Sequence, residues 1–186
     1  MIRYFEGEEY VQDLPNSIED TEFEDCQFHR VDLCNESFRN SKLIECQFNN
    51  CNLSNVQVTN LILRDVKFKD CKMIGINWSS IKTFSDVVFE DCLLNLSVFQ
   101  GLNLSGTVFK NCSITDVDFS SSKLMHSNFS NSKLSGSVFN ESNLENADFR
   151  GAVDYFIDSR YSKIRKAKFS MPEALVLLKS LDIIID

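Results

Sequence analysis

Four cysteines, Cys51, Cys71, Cys92 and Cys112, come nearest to a reaction centre by residue type and spacing. Thiolates are soft metal ligands, and four of them make a common zinc set, but zinc needs its ligands to converge as a tetrahedron. These four recur at steps of twenty or twenty-one residues, which reads as one thiol per turn of a long coil, a ladder rather than a cage. Cys26 and Cys46 repeat the step on another face. Cys34 stands apart, at a position whose side chain should point outward, and is the thiol most open to reaction. His29 and His126 are far apart in the chain and both fall at outward positions. Two isolated histidines support neither a Ser/His/Asp nor a Cys/His constellation, and no glycine-rich phosphate loop is present. The sequence therefore predicts no catalytic residue, no metal site and no cofactor. The ladder is read as small buried side chains.

What positions these residues is a period of five. From Phe23 every fifth residue is large and apolar: Phe28, Leu33, Phe38, Leu43, Phe48, Leu53, Val58, Leu63, Phe68, Met73 and Trp78. A second run, displaced by one residue, goes from Phe89 through Leu94, Phe99, Leu104, Phe109, Ile114, Phe119, Leu124, Phe129, Leu134, Phe139 and Leu144 to Phe149. Two positions before each centre a small or apolar residue recurs, as at Cys46, Val66, Thr107 and Ala147. Two positions after it the chain favours Asn, Asp or Gly, residues that tolerate tight turns and positive φ. Neither an α-helix nor an ordinary strand places apolar residues this way. A coil that turns a corner every five residues does, because stacked coils pair backbone to backbone while the inward residues fill the axis.

Segments such as Ala147-Asp148-Phe149-Arg150-Gly151 carry the A(D/N)LXX pattern, and the sequence resembles the pentapeptide-repeat family over about 150 residues. The resemblance implies an all-β fold, a right-handed quadrilateral β-helix with four repeats per coil and about seven coils. Phe28, Phe48, Phe68, Phe89, Phe109, Phe129, Phe149 and Phe169 then lie one coil apart and should form a single aromatic stack. The spacing of eleven between Trp78 and Phe89 predicts one extra residue near Thr83 or Phe84, a bulge within 79–88 that does not divide the domain.

Composition sets outer bounds. An apolar content of 43% is enough to bury a core. No stretch approaches the ~20 apolar residues of a membrane span, and there is no leader-like start, so a cytoplasmic protein with reduced thiols is expected, with no membrane contact. The net charge of −8 is concentrated: Glu6 to Asp25 holds nine acids and no Lys or Arg. Without them the repeat region is near neutral. A basic group, Arg160, Lys163, Arg165, Lys166 and Lys168, lacks clear aromatic interleaving and reads as a solvated rim, so direct nucleic-acid binding is not expected.

The ends depart from the repeat. Residues 1–17 read as an N-terminal cap, 18–169 as the β-helix and 170–186 as a C-terminal helix and apolar tail. Ser170-Met171-Pro172-Glu173 has the form of a capping box for a short helix from about Met171 to Leu181. In quinolone-resistance and related topoisomerase-binding members of the family a C-terminal helix and strand form a two-fold dimer interface. The similar tail here implies a homodimer through Leu175, Leu178, Leu181, Ile183, Ile184 and Ile185, the alternative being a helix that only caps the last coil. Two functions follow from the resemblance. The first is a non-catalytic interaction scaffold presenting a rod-shaped surface to a protein partner. The second is a DNA-mimic-like binder of DNA gyrase or topoisomerase IV that protects against fluoroquinolones. A rod without protruding loops and close to neutral argues for the first.

Overall fold

The structure, a computed structural model, describes residues 2–12, 14 and 17–181. Its chain winds into a parallel β-solenoid of about eight turns, the right-handed quadrilateral β-helix of the pentapeptide repeat. The first face is a sheet of β1 (Arg3–Glu6), β3 (Thr21–Glu24), β5 (Lys42–Ile44), β7 (Ile62–Arg64) and β9 (Thr83–Ser85). The second stacks β2 (Glu9–Val11), β4 (Gln27–His29), β6 (Gln47–Asn49), β8 (Lys67–Lys69), β10 (Val88–Glu90) and β11 (Val108–Lys110). It continues to β12 (Asp148–Phe149) and β13 (Lys168–Phe169). The third and fourth faces are held by single parallel bridges such as Asn52↔Lys72 and Asp118↔Val138.

Corners explain the composition. From Phe23 to Phe149 the residue two after the centre adopts left-handed φ, as at Asn35 (62°), Asn50 (55°) and Asp65 (54°), except at Ser80 after Trp78. Gly75 takes this role (φ 74°) where a Cβ would meet Asn55 Oδ1 at 2.5 Å. On the outer side of the corners, the corner side chains themselves form ladders between coils: Asn60 Nδ2 donates to Asn40 Oδ1 (3.1 Å), and Asn40 Nδ2 to Asp20 Oδ1 (3.0 Å).

The axis is filled by two opposed aromatic stacks. On the second face the rings of Phe28 and Phe48 lie 4.3 Å apart, those of Phe109 and Phe129 4.9 Å, and those of Phe149 and Phe169 5.3 Å, all stacked. The fourth face carries a second stack that the sequence reading did not name, with Trp78 on Phe99 (5.7 Å) and Phe119 on Phe139 (5.2 Å). The stacks meet edge to face across the axis, as Phe109 meets Phe119 at 5.7 Å and 79°, the geometry favoured by ring quadrupoles.

Three expectations need correction. Residues 1–17 are not simply a cap lacking the pattern, because β1 and β2 pair with β3 and β4 and form an extra coil, which accounts for eight turns in place of seven. Here the inter-coil step is eighteen (Phe5↔Phe23, Tyr10↔Phe28) in place of twenty, so a search running back from Phe23 loses it. The extra residue falls earlier than Thr83, in the 3-10 turn Trp78–Ser80 and the two residues after it. The amides of Lys82 and Thr83 both point to the Leu61 carbonyl (2.9 and 3.3 Å), and the step becomes twenty-one from Ile62↔Thr83. The capping box does not form: Ser170 Oγ accepts the Gly151 amide (3.1 Å) from the previous coil. The helix that follows, Glu173–Leu181, is of the tighter 3-10 type.

Candidate interaction surface

The inward thiols are structural. Cys51, Cys71, Cys92 and Cys112 are buried and face the carbonyls of Phe28, Phe48, Phe68 and Phe89, one coil back, at 3.4 to 3.5 Å. The contact with Cys71, together with burial, holds the Cys51 thiol far above the ordinary range. At Cys71 the Cys51 contact lowers the value, but the Cys92 contact and burial outweigh it and push it up to about 12. Burial pushes the Cys46 thiol up to about 12. The row does not converge on a point, and among the described residues no group of three or more His, Cys, Asp or Glu is placed to hold a metal ion. Cys34 is half-buried, with its sulfur accepting from Asn35 Nδ2 at 3.4 Å.

The histidines are not brought together. His29 sits on the second face, 3.7 Å from Glu9 Oε1. His126 is an exposed corner residue with φ 61°. Of the C-terminal leucines, Leu175 is exposed and Leu178 half-buried, while Val176 and Leu177 pack against the core. The Leu181 side chain and Ile183, Ile184 and Ile185 lie outside the described residues. A 3-10 helix places residues three apart on one side, so Leu175 and Leu178 share a side. Among the described residues no helix is long and apolar enough to cross a membrane.

With the interior closed by side chains, what remains is the outside, where wrapping at twenty or twenty-one residues gathers groups that are distant in sequence. Between Phe23 and Val153 the exposed large apolar side chains are Leu93, Leu96, Val138 and Val153. All four lie on the third face, the fourth face or the edge joining them. Leu96 is 61% exposed and occupies a left-handed corner (φ 60°), a conformation that costs a branched side chain ~1–2 kcal/mol. It stands in file with Asn55, Gly75 and Asp116, types suited to such a corner. The edge between the first and second faces is different. Its corner file reads Asp25, Glu45, Asp65, Asp86, Gly106, His126, Asn146 and Lys166, acidic at one end and basic at the other. Sequence reading missed both groups, and only wrapping the chain on its coil period would have shown them.

A solenoid with a solid core and chemistry confined to repeated outward files defines the class as a surface-presenting β-helix. The sequence profile described as the pentapeptide repeat region matches residues 21–97 and 83–149, and the chain belongs to that family. Among solved structures it is similar to HetL, a pentapeptide repeat protein involved in heterocyst differentiation regulation in the cyanobacterium Nostoc sp. strain PCC 7120. That likeness has a TM-score of 0.66 at 13% identity and covers 88% of this chain and 81% of HetL. QnrB1, a plasmid-mediated fluoroquinolone resistance protein, matches over 99% of this chain and 98% of its own at 18% identity, with a TM-score of 0.35. No curated protein sequence matches the chain.

Proposed function

We propose that this chain is a non-catalytic scaffold that presents its third and fourth faces to a protein partner. The observation that carries the reading is that between Phe23 and Val153 the exposed large apolar side chains, Leu93, Leu96, Val138 and Val153, all lie on those faces or the edge joining them, with Leu96 at a corner that disfavours it. Strain and apolar exposure at one position are two costs without a return inside the chain. Leu96→Asn should raise stability by roughly 0.5–1 kcal/mol, by relieving the corner, and weaken capture of the partner. The experiment is affinity capture from native extract with the wild type and with Leu93→Asp/Leu96→Asp. A partner retained equally by both would overturn the reading. It includes a cytoplasmic location, where the thiols stay reduced, and, as the alternative to a pairing along the rod's edge, a homodimer through Leu175 and Leu178 that would persist in high salt. Light scattering at tens of micromolar tests the dimer, and a monomer refutes it.

A second reading, gyrase or topoisomerase IV binding by DNA mimicry, is favoured by the carboxylates of Asp25, Glu45, Asp65 and Asp86. They repeat once per coil, about 4.8 Å apart, on one edge. A supercoiling assay with a fluoroquinolone decides it: purified protein that neither binds nor protects gyrase discards it.

A further inference from the structure

Some charged side chains on this solenoid find a partner on the next coil, as Lys42 does with Glu22 (2.7 Å) and Lys110 with Glu90 (2.8 Å). On the edge between the first and second faces one sign of charge prevails at each end, acidic at the first coils and basic at the last. Among the described residues, Asp25, Glu45 and Asp65 form no ion pair although each stands one coil from the next. At the other end Lys163, Arg165, Lys166 and Lys168 are all exposed, and they too form none. Like charges close together repel, more so at low salt, and the opposite charges nearby, Lys67 at the acidic end and Glu145 and Asp148 at the basic end, are fewer than the charges they face, so each end favours an opposite charge from outside.

We propose that two copies of this chain associate side by side and antiparallel along this edge, the acidic first coils of each lying against the basic last coil of the other. A parallel pairing would set like charge on like. An end-to-end contact would leave both clusters facing solvent. The antiparallel arrangement alone opposes acid to base at both ends, and it does so by a two-fold axis, so one edge serves both copies and the contact closes on itself. Shallow grooves lie along the edge at each end, one lined by Asp25, Glu45, Gln47, Asp65 and Lys67, where acids outnumber the base, and the other by Glu145, Asn146, Arg165 and Lys166, where bases outnumber the acid. The inference is independent of the partner reading, because the third and fourth faces stay open in the pair.

The contact is electrostatic, so its test is ionic strength. The full chain is measured by light scattering in about 0.01 M and about 1 M salt, where the screening length is roughly 30 and 3 Å. The expected result is a mass at low salt twice that at high salt. Lys163→Glu/Arg165→Glu/Lys166→Glu/Lys168→Glu should keep the high-salt mass in both, and mixing it with Glu24→Lys/Asp25→Lys/Glu45→Lys should restore the doubling. A second arm needs only mild substitutions. Asp25→Cys and Lys166→Cys are placed in separate chains, each with Cys34→Ser, mixed and oxidised. Disulfides joining the two different chains should predominate. An apolar contact through the C-terminal helix would be insensitive to salt and would hold position 25 of each copy far from position 166 of the other. Equal masses at both salts, or disulfides forming mainly between identical chains, would overturn the proposal.

Discussion

The same inward position, two residues before a centre, is filled by thiols in one part of the rod and by hydroxyls in another. From Cys26 to Cys112 it is mostly sulfur that faces the carbonyl one coil back, at 3.4 to 3.6 Å. From Ser132 onward, Ser132, Ser137 and Ser162 donate to the carbonyls of Phe109, Ile114 and Phe139 at 2.6 to 2.7 Å. The two meet where Ser132 Oγ accepts the Cys112 amide at 2.9 Å. Some corners close on themselves, as where the Ala147 amide donates to the Leu144 carbonyl (3.0 Å), but at others, such as Cys112, the amide and carbonyl are left to a side chain, and such groups are costly when unpaired. The comparison teaches that the period requires a small side chain at this position, while the corner rewards one that can both donate and accept. A hydroxyl does this at full strength; a thiol does it weakly but fills more volume.

The largest effect should come from removing what the two parts share. Phe109→Ala, at the boundary and wholly buried, is expected to cost about 3–5 kcal/mol in urea denaturation, because it empties the stack between Phe89 and Phe129. Next is Ser132→Ala, which strips both the Phe109 carbonyl and the Cys112 amide of a partner and should cost roughly 1–3 kcal/mol. If the hydroxyl matters only for its size, this variant will be as stable as the wild type.

Alkaline pH should separate the parts more finely. The thiols of Cys46, Cys71 and Cys92 are held up to about 12, whereas in the unfolded chain they ionise near their ordinary value. The folded state therefore binds these protons more tightly. The resulting stabilisation is complete below the ordinary thiol value and drains away as pH rises from there toward 12. Denaturation followed from neutral to alkaline pH should show this fall in the wild type and a shallower one in Cys46→Ser/Cys71→Ser/Cys92→Ser. Identical curves would mean that the buried thiols do not control it. The smallest effect belongs outside both parts. Lys110→Ala removes an exposed pair with Glu90, which is worth little in water, and should leave the denaturation midpoint where it was.

Most of the architecture was legible because a period of five is written into single residues: the centres from Phe23 to Phe149 need no partner to be recognised. The first coil was not legible, since its step of eighteen breaks the count between Val11 and Ile18, and Phe5 and Tyr10 look like isolated aromatics until β1 and β2 are paired. Ser170 satisfied every local rule for a helix cap and was claimed by Gly151 from another coil, a contact no local pattern contains. The candidate surface was illegible for a related reason. Asp25 and Lys166 belong to one edge only after the chain is wrapped, and Leu96 looks ordinary until its φ is known.

The step of twenty, shortened to eighteen at the first coil and lengthened once to twenty-one, has a kinetic consequence. Nearly every backbone pairing joins residues one turn apart, so each new coil closes a loop of the same modest length and pays nearly the same entropy as the one before. No step requires distant parts of the chain to find each other first. A solenoid of this kind can nucleate on whichever neighbouring coils pair most strongly and grow outward by addition of turns. Unravelling should run the same course in reverse, starting from the ends. Amide exchange would then slow progressively from both termini toward the aromatic centre around Phe89 to Phe129, and the rod would behave as a zipper with two free ends.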